Sequence, residues 1–214
     1  MWELRRIVLG GILGCLLGGC ATVSIQETRV VSGQVTDEAK QPVPNCPVVI
    51  VARTLELATL RFEYDERGRK DVKASTNAEG RYRIEFVPAQ SGNNFFLFFY
   101  DVSGFDGVRY KRPEPIEITD RLKHEGGVVV NQVLRFTPTW PEVERQIAFY
   151  GAESTRGQIL RTHGLPDNLE RPPDAGGDAE VWWYYAEGVS YSFTGDSLTR
   201  TSKFPPTRQT PPSP

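Results

Sequence analysis

The sequence predicts a mainly β protein, with an antiparallel β-sandwich followed by a small α+β domain of two helices on a three-stranded antiparallel meander. Its 16 prolines and 20 glycines, together with frequent valine, tyrosine and phenylalanine, favour short strands and turns over long helices. Two helix-start patterns occur only after residue 138, and three apolar stretches follow them. A chain of 214 residues is long enough for two small domains of this kind.

The N-terminal stretch has the pattern of a signal peptide. Arg5 and Arg6 form a basic start, residues 7–19 are apolar and glycine-rich, and small residues precede Cys20. The apolar run is shorter than the about 20 residues that a membrane-spanning helix needs. An ordinary membrane anchor and a plain secretory signal are the alternatives.

Leu17-Gly18-Gly19-Cys20 resembles the lipobox of bacterial lipoproteins, and Ile12-Leu13-Gly14-Cys15 is a rival match that leaves a very short apolar core. The resemblance implies that residues 1–20 are a lipoprotein signal and that Cys20 carries the lipid that holds the chain on a membrane. Because Ala21, and not aspartate, follows the cysteine, it also implies the outer membrane, and we expect the domains to face the periplasm. Several acyl chains make a lasting anchor, since a single chain binds only marginally.

Composition excludes some classes of partner and site. The net charge of -2 and a pI of about 5.8 argue against a nucleic-acid surface. Two of the three cysteines lie in the signal region, so Cys46 has no partner for a disulfide or a cysteine-based zinc site. Its place on one face of an apolar strand predicts a small buried side chain, not a reactive thiol.

Residues 29–137 predict the sandwich, and residues 21–28 form a short polar tether before it. Short apolar stretches, several with alternating polar residues, are typical of strands, and proline, glycine and asparagine turns separate them. These stretches are 31–35, 46–52, 82–86, 95–100, 108–110, 116–118 and 128–136. Residues 53–72 carry mixed charge and predict a solvated hairpin or loop.

Residues 31–37, Pro42-Val43-Pro44 and residues 76–82 resemble the carboxypeptidase regulatory-like (transthyretin-like) β-sandwich family. The resemblance covers roughly Arg29 to Phe136 and implies a seven-strand sandwich, usually an accessory or interaction module without its own active site. The insertion at residues 53–72 departs from the family pattern.

The strand at residues 95–100 is apolar on both faces, whereas a sandwich strand needs only one apolar face. Phe95, Leu97 and Phe99 point to one side of it. The opposite side carries Phe96, Phe98 and Tyr100, which are covered from within the chain or form a candidate binding surface.

Residues 138–204 predict the second domain. Thr139-Trp140-Pro141-Glu142 and Thr155-Arg156-Gly157-Gln158 have capping-box spacing at two helix starts. Gly164 and Pro166 end the second helix, and residues 166–178 predict a polar loop. Three strands then follow, at residues 181–186, 189–194 and 197–201.

Two-residue turns at Glu187-Gly188 and Gly195-Asp196 would set the register of these strands. The pairs would then be Ala186–Val189, Tyr184–Tyr191, Trp182–Phe193 and Phe193–Leu198. Trp183 and Tyr185 fall on the other, hydroxyl-rich face. There they either shield the sheet, in part against the sandwich, or form a platform for peptide or sugar.

This order of elements, with Gly164-Leu165-Pro166 after the second helix and Trp183-Tyr184-Tyr185 in the sheet, resembles the small outer-membrane-assembly lipoprotein domain (SmpA/OmlA, BamE-like) over Trp140 to Lys203. The resemblance implies a protein-interaction module of the cell envelope. Here the domain follows another domain instead of the lipid anchor. The proline-rich stretch at residues 205–214 predicts a disordered tail.

No pattern predicts a catalytic residue, a metal ligand or a cofactor. His124 and His163 fall in different domains without metal-ligand spacing, and His163 suits the C-terminal dipole of its helix. Asp101, Ser103 and Asp106 match no calcium-loop spacing. The sequence therefore predicts a non-enzymatic, outer-membrane-anchored module that binds envelope proteins. The alternatives are binding of glycan or peptidoglycan through exposed aromatic residues, and a hydrolase with an unrecognised carboxylate pair.

Overall fold

A computed structural model gives the fold of the chain and describes residues 26–58, 63–101, 104–172 and 178–207. Cys20 and the rest of the predicted signal lie outside the described residues. The described part is mainly β, and its two hydrophobic cores correspond to a β-sandwich and a smaller α+β part.

The sandwich contains eight strands, one short helix and one 3-10 turn. These are β1 (Arg29–Asp37), β2 (Pro47–Ala58), β3 (Glu63–Ser75), β4 (Arg81–Phe86), the 3-10 turn (Pro88–Gln90), β5 (Asn94–Phe98), β6 (Ile116–Glu117), α1 (Thr119–His124), β7 (Gly127–Val129) and β8 (Gln132–Leu134). One sheet has the order β4-β1-β7, with β8 also paired to β1, and the other has the order β3-β2-β5-β6.

The sheets are antiparallel except at one place. β1 pairs in parallel with β7, through Val30 and Gly127, and with β8, through Thr36 and Val133. The predicted antiparallel sandwich is therefore confirmed except where β7 and β8 pair with β1. The parallel pairing arises because α1 returns the chain to the start of β1 before β7 begins, so β7 and β8 run in the same direction as β1.

The residues between β7 and β8 pack closely against the backbone of β1. Val130 N donates to Ser32 O at 2.8 Å, and Tyr82 Oη donates to Val130 O at 2.8 Å. A side chain at Gly33 would meet Val130 O, since an added Cβ lies 1.9 Å from it. The side chain of Asn131 accepts from Gln34 N at 2.9 Å and replaces the missing ladder bond.

The insertion at residues 53–72 forms an extension of the β2–β3 hairpin. The two strands stay paired from Pro47–Ser75 out to Ala58–Glu63, with one irregularity next to Thr54. β2 pairs with β5 only as far as Arg53, opposite Asn94. Beyond that point no other strand of the described part of the chain pairs with the hairpin, and the hairpin alternative of the sequence prediction is confirmed.

The buried face of β5 is confirmed: Phe95, Leu97 and Phe99 all lie in the sandwich core. Cys46 is also buried there, and its thiol lies 3.5 Å from Phe99 O. Burial raises the pKa of this thiol to about 12. Cys46 is therefore a small core side chain, as predicted.

The strand directions give the sandwich two distinct ends. β1 begins at Arg29, opposite Phe86 at the end of β4. β4 leads through the 3-10 turn to β5, whose first residue Asn94 pairs with Arg53, so the extended hairpin leaves from this same end. We call it the entry end. β1 and β8 both finish at the opposite end, where the chain leaves for the second part. We call this the exit end.

The second part contains α2 (Trp140–Tyr150), α3 (Thr155–His163), β9 (Asn168–Glu170), β10 (Ala179–Tyr184), β11 (Val189–Thr194) and β12 (Ser197–Lys203). Its sheet has the order β12-β11-β10-β9. The expected three-stranded meander is therefore a four-stranded sheet, because β9 lies in the stretch predicted as a polar loop and pairs with β10 through Leu169 and Trp182. The charged and polar sequence of β9 has no strand periodicity.

Both helix starts differ in detail from the prediction. The side chain of Thr139 makes no capping bond to α2. The cap of α3 is Ser154, one residue before the predicted Thr155, and its Oγ accepts from Gly157 N at 3.0 Å. Ser154 has the extended backbone that a capping residue needs.

The register of β10 and β11 differs from the prediction by two residues. Tyr184 pairs with Val189 and Trp182 with Tyr191, so the turn between them has four residues instead of two. The Gly195-Asp196 turn is confirmed, and Phe193 pairs with Leu198. Because a two-residue shift keeps each side chain on its face, Trp182, Tyr184 and Phe193 still lie in the core.

Aromatic residues join the two parts at the exit end. The rings of Tyr110, Phe136 and Trp140 stack in sequence, with centroids 5.6 and 6.5 Å apart. The guanidinium of Arg109 lies over all three rings, within 5.5 Å of each centroid. Its Nη2 also donates to Asp37 Oδ2 at 3.1 Å at the end of β1. Arg109 thus contacts both parts, and Val108 and Phe136 of the sandwich also pack against the core of the second part.

Candidate functional site

The predicted residues Trp183 and Tyr185 lie together on the face of the second sheet that is turned away from the helices. Their rings are nearly parallel, at 12°, with centroids 5.9 Å apart. Phe204 contacts both rings, at 5.5 and 6.2 Å. All three side chains are half-buried. We call these three residues the aromatic cluster.

The chain after β12 holds the aromatic cluster in place. Phe204 N donates to Gly188 O at 2.8 Å, and Thr207 N donates to Tyr185 O at 2.9 Å. The prediction of disorder from residue 205 is therefore wrong for Pro205 to Thr207, because these bonds fix the chain against the β10–β11 turn. Residues 208–214 lie outside the described part of the chain.

Polar groups surround Tyr185 on its other side. Asp167 Oδ2 accepts from Tyr185 N at 2.6 Å, and Asn168 Nδ2 lies 3.4 Å from the phenol oxygen. The indole Nε1 of Trp183 is buried and has no hydrogen-bond partner among the described residues. The cluster therefore presents ring surface beside amide and carboxylate groups, a combination suited to binding peptide or sugar.

Of the two predicted alternatives for Trp183 and Tyr185, the contacts favour shielding of the sheet by the same domain. Phe204, and not the sandwich, supplies the ring contacts that the structure gives to this pair. The cover is partial, so part of the ring surface stays accessible.

A chain of polar contacts on the helix side of the sheet joins Glu187, His163 and Tyr191. His163 Nδ1 contacts a Glu187 carboxylate oxygen, and its Nε2 lies 2.9 Å from the Tyr191 hydroxyl. The imidazole also packs on the rings of Tyr184 and Tyr191. His163 ends α3, so it joins the helix C-terminus to the sheet, which the sequence prediction did not include.

Burial shifts the pKa values of the two phenols that pack on His163. Burial, followed by the charge of Glu187, raises the pKa of the Tyr191 phenol. Burial also raises the pKa of Tyr184, which donates to Gly164 O at 3.1 Å. Both phenols therefore keep their protons to a higher pH than an exposed tyrosine does.

The outer face of β5 is the second predicted surface, and the chain covers it in part. Phe98 contacts Tyr100, and Tyr100 contacts Phe105, at centroid distances of 5.6 and 6.1 Å. Arg53 lies over Phe96 and Arg112 over Tyr100. Phe96, Phe98 and Tyr100 are consequently half-buried, and cover from within the chain is the better of the two expected explanations.

One open cleft of about 480 Å³ lies on the outer surface of β1 and β4. The residues that line it are Ser32, Gly33, Gln34, Ser75, Asn77, Arg81, Tyr82 and Arg83. Arg83 is paired with Glu85 at 2.6 Å. The cleft holds polar donors but no arrangement of nucleophile and base.

No group of three or more histidine, cysteine, aspartate or glutamate residues in the described part of the chain can hold a metal ion. Lys73 contacts Asp101 at 2.7 Å, and Asp106 accepts from Arg109 N at 2.9 Å. Ser103 lies outside the described residues. None of the helices described is long and apolar enough to cross a membrane.

No family model and no curated protein matches the sequence. Among solved structures, a streptococcal ancillary pilin is 17% identical, covering 52% of this chain and 33% of its own, with a TM-score of 0.32. The C-terminal domain of the shaft pilin spaA from Lactobacillus rhamnosus GG is 9% identical, covering 52% of this chain and 100% of its own, with a TM-score of 0.33.

Catechol 1,2-dioxygenase from Acinetobacter sp. ADP1 is 13% identical, covering 56% of each chain, with a TM-score of 0.32. This chain spans about a third of the length of the streptococcal pilin that it matches. The identities and TM-scores are too low to indicate a shared function.

Proposed function

We propose that the protein is a non-enzymatic lipoprotein of the bacterial outer membrane, anchored through Cys20 and facing the periplasm, and that its BamE-like second domain binds envelope proteins. The observation that carries this proposal is the position of the two ends of the sandwich. The chain enters the sandwich at Arg29. At the opposite end, where β1 ends at Asp37 and β8 ends at Leu134, the chain leaves the sandwich for the second domain.

This arrangement makes the sandwich a spacer. β1 has nine residues and therefore spans about 30 Å from one end to the other. A lipid on Cys20 would hold the entry end near the bilayer, and the second domain would extend away from it. The parallel pairing of β8 with β1 supports this role, since it sends the chain out at the far end.

The contacts at Arg109 support a fixed orientation of the second domain. A guanidinium stacked on three rings and paired with a buried carboxylate limits rotation about the exit end. A rigid spacer presents one surface to a partner at a defined distance from the membrane.

The aromatic cluster is the surface on which we place the partner. Half-exposed tryptophan and tyrosine side chains often carry much of the energy of an interface.

Crosslinking in intact cells, followed by capture of the full lipidated chain, tests the proposal. Specific envelope proteins should be recovered with the wild type and lost with Trp183→Ala. Phe149→Ala is the matched control, because Phe149 is an exposed ring on α2 of the same domain and should leave recovery unchanged. Equal recovery of the same proteins with Trp183→Ala would contradict the assigned surface.

The anchor has a separate test. Cys20→Ser should move the protein from the membrane fraction to the periplasmic fraction and leave its far-ultraviolet circular dichroism unchanged. A Cys20→Ser protein that stays firmly in the membrane fraction would contradict lipid anchoring.

A second candidate function is binding of cell-wall glycan. The nearly parallel rings of Trp183 and Tyr185 beside Asn168 favour it, because sugar rings stack on aromatic faces and bond to amides. Retention on purified peptidoglycan that is lost with Trp183→Ala but kept with Phe149→Ala would support this function over protein binding.

A further inference from the structure

The geometry points to a second membrane contact in this protein: the outer part of the β2–β3 hairpin rests on the lipid bilayer surface through Leu57 and Tyr64. This inference rests on the proposed lipid anchor at Cys20 and adds to it a contact made by the folded domain itself. It also assigns a role to the insertion at residues 53–72, which the sandwich fold itself does not require.

Leu57 and Tyr64 face each other across the hairpin and are both exposed. They form a direct cross-strand pair, so their side chains lie on the same face. Leu57 is 50% exposed and Tyr64 is 70% exposed. Among the described residues no third strand pairs with this part of the hairpin, because β2 leaves β5 at Arg53.

The hairpin has the length and rigidity to reach beyond the sandwich. From Arg53 to Ala58 the strand advances about 17 Å, at ~3.3 Å per residue. Asn93 braces its base: its side chain accepts from Leu55 N at 2.9 Å and donates to Leu55 O at 2.8 Å. Arg67 contacts Glu56 at 3.3 Å across the two strands. The hairpin therefore holds Leu57 and Tyr64 beyond the entry end of the sandwich.

The lipid anchor would bring the bilayer to this end of the molecule. Eight residues, 21–28, separate Cys20 from Arg29, so the tether reaches at most about 30 Å even when fully extended. The hairpin leaves from the end of the sandwich where β1 begins, so it lies at the end to which the tether is joined. The second domain begins at the opposite end.

The side chains suit the interfacial region of a bilayer. Tyrosine prefers the level of the lipid headgroups, where its ring is buried and its hydroxyl stays hydrated, and leucine adds apolar area. Residues 54–58 and 63–67 carry four carboxylates, Glu56, Glu63, Asp65 and Glu66, against the single guanidinium of Arg67. The contact is therefore apolar and shallow, and it fits a zwitterionic surface better than an anionic one.

A fluorescent label reports the contact directly. The full lipidated Tyr64→Cys protein, carrying an environment-sensitive dye at residue 64, is reconstituted into phosphatidylcholine–phosphatidylethanolamine vesicles that contain a spin-labelled quencher lipid. Cys46 is buried, with the pKa of its thiol raised to about 12, and does not compete for the dye. Phe149→Cys, 78% exposed on the second domain, is the matched control.

The dye at residue 64 should be blue-shifted and quenched by the spin-labelled lipid, and the dye at residue 149 should be neither. Adding Leu57→Ser to the Tyr64→Cys protein should lower the ratio of quenched to unquenched dye about tenfold, because a hydroxyl replaces the apolar contact. Val133→Ser, a similar change at the exit end, should leave the ratio unchanged.

The experiment distinguishes failure of the hairpin contact from failure of the lipid anchor. If the protein floats with the vesicles but the dyes at residues 64 and 149 respond equally, the anchor holds and the hairpin contact is wrong. If the dye at residue 64 shifts only when envelope proteins are added, the hairpin binds a protein and the lipid contact is again wrong. If neither labelled protein floats, the anchor itself is wrong, and the inference falls with it.

Discussion

Arg109 and Asp37 form an ion pair at the end of the sandwich from which the second domain begins, and the same guanidinium lies over the ring of Trp140. The Nη2 atom of Arg109 donates to Asp37 Oδ2 at 3.1 Å, and Asp37 is only 1% exposed. A second bond to the same carboxylate comes from Gln41 N, at 2.9 Å. The carboxylate is therefore desolvated and depends on these two donors for its stability.

Arg109→Met should lower the free energy of unfolding by about 1–3 kcal/mol, because the charged donor is removed and a buried carboxylate is left with one bond. Chemical denaturation monitored by fluorescence measures the loss. Arg81→Met is the control: Arg81 is exposed on the sandwich surface, and its substitution should change stability by less than about 0.5 kcal/mol. Equal losses for the two variants would contradict the role of the pair.

Ser154→Ala should destabilise the protein by about 1 kcal/mol, since Ser154 Oγ accepts from Gly157 N at the start of α3. Thr139→Ala, at the start of α2, removes a side chain that makes no capping bond and should cost clearly less. Thermal unfolding of the two variants provides the comparison. A larger loss for Thr139→Ala would show that the cap has been placed at the wrong helix.

Gly188→Ala should destabilise the second domain by about 1–2 kcal/mol or more. Gly188 has a φ of 66°, which strains residues with a side chain, and an added Cβ would lie 2.2 Å from Phe204 O. The clash should push the segment after β12 away from Trp183 and change its fluorescence. Gly107→Ala meets nothing within 4 Å and should be close to neutral. An unchanged melting temperature for Gly188→Ala would contradict the placement of this segment.

Alkaline pH should destabilise the sandwich through Cys46. Burial raises the pKa of this thiol from 9.0 to about 12 in the folded protein, so above pH 9 the unfolded chain loses a proton that the folded chain keeps. Its contribution is fully present below pH 9 and is lost as the pH rises through 12, at about 1.4 kcal/mol per pH unit.

Denaturant unfolding at pH 9 and pH 10 measures this slope, to which the buried tyrosines, whose ordinary pKa is 10.0, also contribute, so the comparison with a Cys46 variant is needed. Cys46→Ala should remove the additional slope in that interval, although it lowers stability at every pH. Equal slopes for the wild type and Cys46→Ala would show that the thiol is hydrated in the folded protein.

Side-chain alternation made the core predictable. Phe95, Leu97 and Phe99 alternate with half-exposed partners, and the strand period alone placed them inside. The same period kept Trp182 and Tyr184 in the second core although the register was wrong, because the shift of two residues preserved the face.

The remaining features depend on contacts between distant residues. β9 pairs with β10 although its sequence, Asn168-Leu169-Glu170, is almost wholly polar, and only tertiary pairing makes it a strand. Phe204 covers Trp183 from beyond the predicted end of the domain. Arg109 lies in a loop whose sequence gives no sign of the rings that it joins. The sequence predicted Trp183 and Tyr185 as candidate site residues, but it did not predict that Phe204 covers them.

The parallel pairing of β8 with β1 has a mechanical consequence. A protein held in a membrane at its N-terminus and by a partner at its second domain is pulled from the start of β1 and from the end of β8. Those two points lie at opposite ends of neighbouring strands, so the load runs along the strands and strains all their hydrogen bonds together instead of one after another. The sandwich should therefore resist forced extension between envelope layers better than an antiparallel pairing of the same two strands, which would open one bond at a time.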